Sequence, residues 1–289
     1  MCGTCGCSDP ANAVTLTDPE SGERSRLRQG ATAGEAEGHH HDHAHDHHDD
    51  HHGHDHDDRP HVHGPNGEVI SLEQAVLAKN DRIAQRNRGW FEGRGVLALN
   101  LVSSPGAGKT TLLERTIREL AGRVEIAVIE GDQMTANDAE RIRAAGARAV
   151  QINTGAGCHL EADMVAEAVE RLDPRPGSIL MIENVGNLVC PAMFDLGERM
   201  KVAVISTPEG EDKPLKYPHM FRAAELVIIN KIDLAPHVDF DQELCSANIR
   251  EVNPAAEILA LSARSGAGLG AWLDFLTRRA PAGAFRDEA

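Results

Sequence analysis

Leu99-Asn100-Leu101-Val102-Ser103-Ser104-Pro105-Gly106-Ala107-Gly108-Lys109-Thr110-Thr111 decides how the rest of the chain is read. An apolar run over residues 96–102 ends in a turn rich in Gly and Pro. From Thr110 onward, the spacing of Leu112, Leu113, Thr116, Ile117 and Leu120 is helical. Strand, glycine loop and helix together form the context of a phosphate-binding loop. Ser104, Gly106, Ala107, Gly108, Lys109, Thr110 and Thr111 are therefore expected to bind nucleotide. Gly106 and Gly108 let backbone amides turn toward phosphate oxygens, Lys109 supplies a point charge, and Thr110 offers a hydroxyl to Mg2+ at the positive end of the helix. The general pattern begins with Gly where this chain has Ser103.

Working outward from this loop, apolar strands are expected over 96–102, 125–129, 148–152, 179–182, 202–205, 226–229 and 258–261, with helical stretches between most of them. That alternation predicts an α/β fold of the P-loop NTPase kind, a mostly parallel sheet of about seven strands with helices on both faces. A helix opening at Ser71, by a capping-box pattern with Gln74, precedes it and carries Leu72, Ala75, Val76 and Ile83 as an apolar stripe through about residue 88. Ligands of such sheets collect beyond the carboxyl ends of the strands, so the residues there carry the chemistry.

Asn230-Lys231-Ile232-Asp233 follows one of these strands. A carboxylate at the position of Asp233 can accept both the ring N–H and the exocyclic amine of guanine, whereas adenine presents an acceptor at that ring nitrogen. GTP is the expected nucleotide, with Ser262 and Ala263 resembling the segment whose backbone N–H meets the guanine oxygen in GTPases. Asp132 and Glu183 each end a buried strand, where a carboxylate can hold Mg2+ together with Thr110. Lys109, Thr110, Asp132 and Glu183 are thus the candidate catalytic set. Glu183 with Gly186 has the E-x-x-G shape of a switch whose glycine amide can meet a γ-phosphate.

Of the 289 residues, the first seventy carry 14 Asp and Glu against 4 Lys and Arg and few apolar side chains; they are expected to be mostly disordered. The segments expected are an N-terminal Cys motif over 1–10, a disordered His/Asp-rich segment over 11–70 and the GTPase domain with its leading helix over 71–289. A net charge of −16 disfavours nucleic acid and acidic membrane surfaces and favours metal cations. No apolar run is long enough to span a bilayer and no signal peptide is recognisable, which points to the cytoplasm.

Cys2, Cys5 and Cys7 crowd three thiols into six residues, and the freed α-amine of Cys2 would add a fourth donor. Such a set suits Ni(II) in a square plane or Zn(II) in a tetrahedron. Residues 39–63 hold 13 of the 16 histidines interleaved with Asp, and His39, His40, His41, His43, His45, His47, His48, His51, His52, His54 and His56 are candidate exchangeable ligands suited to metal storage. Cys158-His159, expected to open a helix after the third strand, and Cys190, shortly after the switch, could form a third site. Spacing alone fits small buried hydrophobes equally well. Cys245 reads as core.

Taken together, MCGTCGC, the His tract, SSPGAGKT, TGAGCHL, ENVGNLVCP and NKID resemble the HypB family of hydrogenase maturation GTPases over nearly the whole chain. The resemblance implies a SIMIBI-class GTPase that dimerises around nucleotide and binds GTP, Mg2+, Ni2+ and Zn2+. It further implies a Ni or Zn site at Cys158, His159 and Cys190 near the dimer interface and a nickel site at Cys2, Cys5 and Cys7. The implied partners are a HypA-like nickel chaperone and the large subunit of [NiFe]-hydrogenase, the client for nickel insertion. Two other readings stand beside it: a urease accessory GTPase of the UreG type, and a protein that is mainly a nickel or zinc buffer. Urease accessory GTPases carry Cys-Pro-His, whereas here Cys190-Pro191 is followed by Ala192.

Overall fold

The structure, a computed structural model, describes residues 14–18, 21, 23–27, 61–63, 69–132, 137–155 and 157–285. In chain order the strands are β1 (Thr15–Thr17), β2 (Arg24–Arg26), β3 (His61–His63), β4 (Val69–Ser71), β5 (Leu97–Ser103), β6 (Ile126–Asp132), β7 (Arg148–Asn153), β8 (Ile179–Glu183), β9 (Met200–Ser206), β10 (Ala224–Asn230) and β11 (Glu257–Ala260). The helices are α1 (Leu72–Arg94), α2 (Lys109–Glu119), α3 (Asn137–Ala144), α4 (Ala162–Leu172), α5 (Cys190–Met193), α6 (Lys213–Lys216), α7 (Pro218–Ala223), α8 (Gln242–Val252) and α9 (Leu269–Arg279). All seven strands expected from the apolar runs form, each within a few residues of its expected bounds.

The main sheet has the order β11-β10-β9-β5-β8-β6-β7-β1-β2. From β11 to β7 every pairing is parallel. Such strands are buried on both faces, which is why they read as continuous apolar runs rather than as alternation. Leu97, Leu99 and Leu101 of β5 face the core shared with Leu112 and Ile117 of α2, Ile142 of α3 and Trp272 of α9. On the opposite face, Ala98, Ile129 and Ile152 pack with Phe91 of α1 and Val165 and Val169 of α4. Val102, Ile205 and Val227 pack there with Phe221 of α7 and with Cys245 and Ile249 of α8. Cys245 is fully buried in this cluster, as core, with its thiol pushed up to about 12 first by burial and then by Glu211. Strand β5 lies between β8 and β9, at the point where the strand order reverses, and it is beyond the carboxyl ends of strands at such a point that ligands of open α/β sheets collect.

Two parts of the N-terminal seventy residues depart from the expected disorder. Strand β1 pairs antiparallel with β7, and β2 with β1, giving the sheet nine strands among the described residues rather than about seven. A second hairpin pairs β3 with β4, and residues 64–68 between them lie outside the described residues. The first hairpin needs little apolar sequence. An edge strand presents unpaired N–H and C=O groups, and Leu16 and Leu27 add one side chain each to the core. Three-residue strands leave no periodic signal to read.

Because β1 is antiparallel, Thr15 stands opposite Asn153, the last residue of β7. Leu27 N donates to Val14 O at 3.1 Å, closing the hairpin at the same end. Residue 14 and residue 27 therefore both sit at the carboxyl end of the sheet.

Helix α1 docks differently from the expected stripe. Ala75, Val76 and Ile83 are half-buried, whereas Asn80, Ala84, Asn87 and Phe91 form the buried face. Asn87 Nδ2 donates to Ala162 O at 2.7 Å and Leu196 O at 3.0 Å. Asn80 Oδ1 accepts from Ala162 N at 2.8 Å, and its Nδ2 donates to Asp195 O at 2.7 Å. Two buried asparagines thus clamp the start of α4 to the turn after α5, and Arg88 adds an ion pair to Asp195 at 2.7 Å.

Candidate functional site

The loop after β5 wraps the start of α2. Gly108 has φ 96°, a left-handed conformation that favours glycine, and a Cβ there would stand 2.6 Å from Asn230 Nδ2. Asn230 Nδ2 donates to Ala107 O at 2.9 Å, and its Oδ1 accepts from Ala263 N at 3.1 Å and Lys231 N at 2.8 Å. One buried side chain therefore ties the phosphate loop to the segments expected to meet the base. Lys231 Nζ donates to Gly106 O at 2.6 Å. Asp233 Oδ1 is buried without a hydrogen-bond partner, an acceptor left for a ligand. Ser262 is buried and its Oγ accepts from Ser265 N at 3.0 Å, shaping the turn that carries the Ala263 amide.

Lys109 is almost completely buried and donates from Nζ to Ser103 Oγ at 2.6 Å. The departure from glycine at position 103 thus has a structural use. Burial pulls the Lys109 pKa down, opposed by the carboxylates of Glu183, Glu209, Asp138 and Asp132. Thr110 Oγ1 donates to Glu183 Oε1 at 2.8 Å and lies 3.3 Å from Asp138 Oδ2. Glu183 Oε2 is buried with no partner, and burial raises this carboxyl's pKa, with Lys109 and Thr110 opposing. Asp132, at the end of the neighbouring strand, is half-buried. A hydroxyl and two carboxylates at adjacent strand ends, one oxygen orphaned, fit a hard divalent cation such as Mg2+.

Gly186 lies against the phosphate loop: a Cβ there would meet Pro105 Cα at 3.0 Å. The segment from Glu183 to Gly186 is therefore seated on the loop where a switch would sense the outer phosphate.

Four residues from this segment, α5 begins with Cys190. Cys158 and His159 lie in the turn before α4, which starts at Ala162, so the pair precedes the helix rather than opening it. The ligand atoms of Cys158, His159 and Cys190 lie within 4.8 Å of one another, the one such group among the described residues. Cys158 Sγ is 3.4 Å from His159 Nδ1. The His159 ring stacks on Phe194 with centroids 3.9 Å apart, and His159 Nε2 is buried without a hydrogen bond. Two thiols and an imidazole at this spacing match soft-to-borderline cations, Ni(II) or Zn(II).

The nucleotide-binding domain of the CobW/HypB/UreG family matches residues 97–260. The hydrogenase maturation factor HypB of Rhizobium leguminosarum bv. viciae is 60% identical over 223 residues, covering 76% of this chain and 75% of its own. HypB of Escherichia coli K12 is 60% identical over 208 residues, 72% of each chain. The chain belongs to the HypB family of hydrogenase maturation factors. Among solved structures, HypB from Helicobacter pylori in complex with nickel superposes with a TM-score of 0.67 at 37% identity, covering 73% of this chain and 99% of that one. HypB from Archaeoglobus fulgidus superposes with a TM-score of 0.66 at 40% identity.

In this HypB-family chain the structure brings together Ser104, Gly106, Ala107, Gly108, Lys109, Thr110, Asn230, Lys231 and Ala263, and separately gathers Cys158, His159 and Cys190. Thr111 is half-buried at the start of α2, within 3.4 Å of Arg141 Nη2. Cys2, Cys5, Cys7 and His39 through His56 lie outside the described residues, and His61 and His63 are described only as backbone of β3. Four functional-site neighbours carry no role in the sequence reading, although Glu130 and Glu209 stand at expected strand ends. Glu209 hydrogen-bonds Ser104 of the phosphate loop and accepts from Ser206 N at 2.9 Å. Asp138 reaches Thr110, and Phe194 supports His159. Glu130 pairs in register with Glu183 across β6 and β8 and is buried with Oε2 unpartnered. Its place just after the strand expected over 125–129 is the signal that the sequence offers. No helix among the described residues is long and apolar enough to cross a membrane.

Proposed function

We propose that this protein is a GTP-hydrolysing nickel metallochaperone that helps deliver Ni(II) to the [NiFe]-hydrogenase large subunit. The observation that carries the reading is the Cys158, His159 and Cys190 cluster, assembled from two loops, one of which continues directly from the Glu183–Gly186 segment seated on the phosphate loop. Guanine is read by Asp233, whose buried oxygen lacks a partner. Lys109 and the loop amides hold the phosphates. Thr110, Asp132 and Glu183 would hold Mg2+, which supplies charge neutralisation between the phosphates when bound.

With GTP bound, the Gly186 amide would approach the outer phosphate and carry the chain toward Cys190 with it. Metal affinity then differs between nucleotide states, and hydrolysis times release. Linkage requires that nickel change GTP affinity by the same factor. Nickel and zinc compete for the same thiolates. The nickel-bound Helicobacter pylori HypB structure supports nickel as the cargo. Cys2, Cys5 and Cys7 form a second nickel site and His39–His56 a store. A HypA-like chaperone, the hydrogenase large subunit and a second copy of this chain are the partners.

The test is metal titration of wild type against a Cys158/His159/Cys190 triple alanine variant, with GDP and with a non-hydrolysable GTP analogue. Nucleotide-dependent nickel binding that vanishes in the variant is expected. Equal nickel dissociation constants in both nucleotide states of the wild type would remove the coupling.

A further inference from the structure

Asn184 lies between the carboxylate and the glycine of the switch segment and is 1% exposed. Its Oδ1 accepts two backbone bonds, from Val185 N at 2.9 Å on its own segment and from Leu160 N at 3.2 Å, the residue after His159. Its Nδ2 donates to Asn100 Oδ1 at 3.2 Å, on the strand that leads into the phosphate loop. Asn100 in turn donates to Glu198 Oε1 at 3.1 Å, and Glu198 Oε2 accepts from Leu196 N at 2.7 Å, two residues beyond the Phe194 ring that covers His159. A single chain of buried hydrogen bonds therefore runs from the switch to both walls of the His159 pocket.

We propose that Asn184 is the positioning residue that couples the nucleotide site to the metal cluster. Burial makes the coupling stiff: an amide oxygen shared by two backbone N–H groups cannot move without dragging one or abandoning it, and water is not at hand to replace the loss. A shift of the Glu183–Gly186 segment toward a phosphate thus changes the place of Leu160 N, and with it the backbone of His159 relative to Cys190. Apolar packing in the same position would slide; the shared acceptor does not. Asn184 touches neither nucleotide nor metal in this role, and acts through the Leu160 amide.

The proposal rests on the reading that nucleotide state changes metal affinity, and its test separates the two. Nickel dissociation constants are measured for wild type, Asn184→Ala and Asn184→Asp, each full length with the N-terminal cysteines replaced by serine, in GDP and in a non-hydrolysable GTP analogue. Wild type is expected to show a ratio between the two states of about fivefold or more. Asn184→Ala is expected to bring that ratio below about twofold. Asn184→Asp, which keeps the acceptor for Leu160 and Val185 and sets a second acceptor against Asn100 Oδ1 in place of the donor, is expected to retain most of it; it also carries the test if the alanine variant does not fold. A merely structural role would weaken nickel binding equally in both states and leave the ratio where it was, which overturns the proposal. Loss of the ratio in Asn184→Asp overturns it as well. A wild-type ratio of one removes the underlying coupling together with it.

Discussion

The imidazole of His159 lies flat on the ring of Phe194, 3.9 Å between centroids and 29° between planes. Phe194 is the C-cap of α5, the turn that begins with Cys190, so one short element and its cap both provide a thiol and orient the histidine. Replacing Phe194 with Leu should keep the pocket filled and release the ring. A stacked pair contributes about 0.5–1.5 kcal/mol beyond area burial, which predicts a two- to tenfold weaker nickel site with nucleotide affinity unchanged. Titration followed by thiolate-to-nickel absorption measures it; unaltered affinity would show that the backbone alone sets the ring.

Asp233 Oδ1 and the Gly108 backbone make separate predictions about the nucleotide. Asp233→Asn turns an acceptor into a donor and should shift preference from guanosine to xanthosine triphosphate, read in competition binding. Gly108→Ala sets a methyl 2.6 Å from Asn230 Nδ2 at a left-handed φ and should abolish nucleotide binding of either base. Lys109→Ala should abolish hydrolysis while leaving metal uptake by the tail intact.

Glu130 gives a pH dependence with a definite sign. Its pKa is pushed up to about 9, first by burial and then by the carboxylates of Glu183, Asp132 and Asp138. A folded-state pKa above the unfolded one means that the folded protein holds the extra proton between roughly pH 4.5 and 9. Stability contributed by this group is therefore full below that window and lost as pH rises through it. Glu130→Gln should remove that slope, so in nucleotide-free, Mg2+-free solution its urea midpoint exceeds that of wild type by a margin that widens from pH 6 to pH 9. Parallel pH profiles for the two proteins would count against a protonated Glu130.

Leu16 is fully buried although it sits in a three-residue strand, next to the edge strand β2. Leu16→Ala should cost about 2–5 kcal/mol, the usual range for a buried leucine, read from chemical denaturation. Deleting residues 1–27 should expose the β7 edge and raise self-association, measured by light scattering, more than deleting residues 1–13 does.

Much of the frame was legible because its signals are local. Each parallel strand is a continuous apolar run, and the glycines, Lys109 and the Asn230–Asp233 string are adjacent in sequence. The Cys158, His159 and Cys190 cluster was only half legible: Cys158 and His159 are neighbours, but Cys190 is 32 positions beyond Cys158, and nothing in the spacing distinguishes a ligand from a buried thiol. The buried face of α1 differs from its apolar stripe for a related reason. Apolar periodicity points to Leu72, Ala75, Val76 and Ile83, yet Asn80 and Asn87 are buried because backbone groups of α4 and the 195–196 turn await them as partners.

By itself the sequence determined the parallel α/β frame, the phosphate loop and the place of the Asn230–Asp233 string at a strand end, since strand burial, glycine conformation and motif chemistry act over a few consecutive residues. Only the tertiary structure decided that Asn184 bridges the switch to Leu160, that Phe194 backs His159, that Glu130 stands beside Glu183, and that the N-terminal hairpin covers the sheet edge. Each depends on distant backbone groups meeting in a water-poor interior, where the need to satisfy a buried donor or acceptor, rather than local propensity, selects the partner.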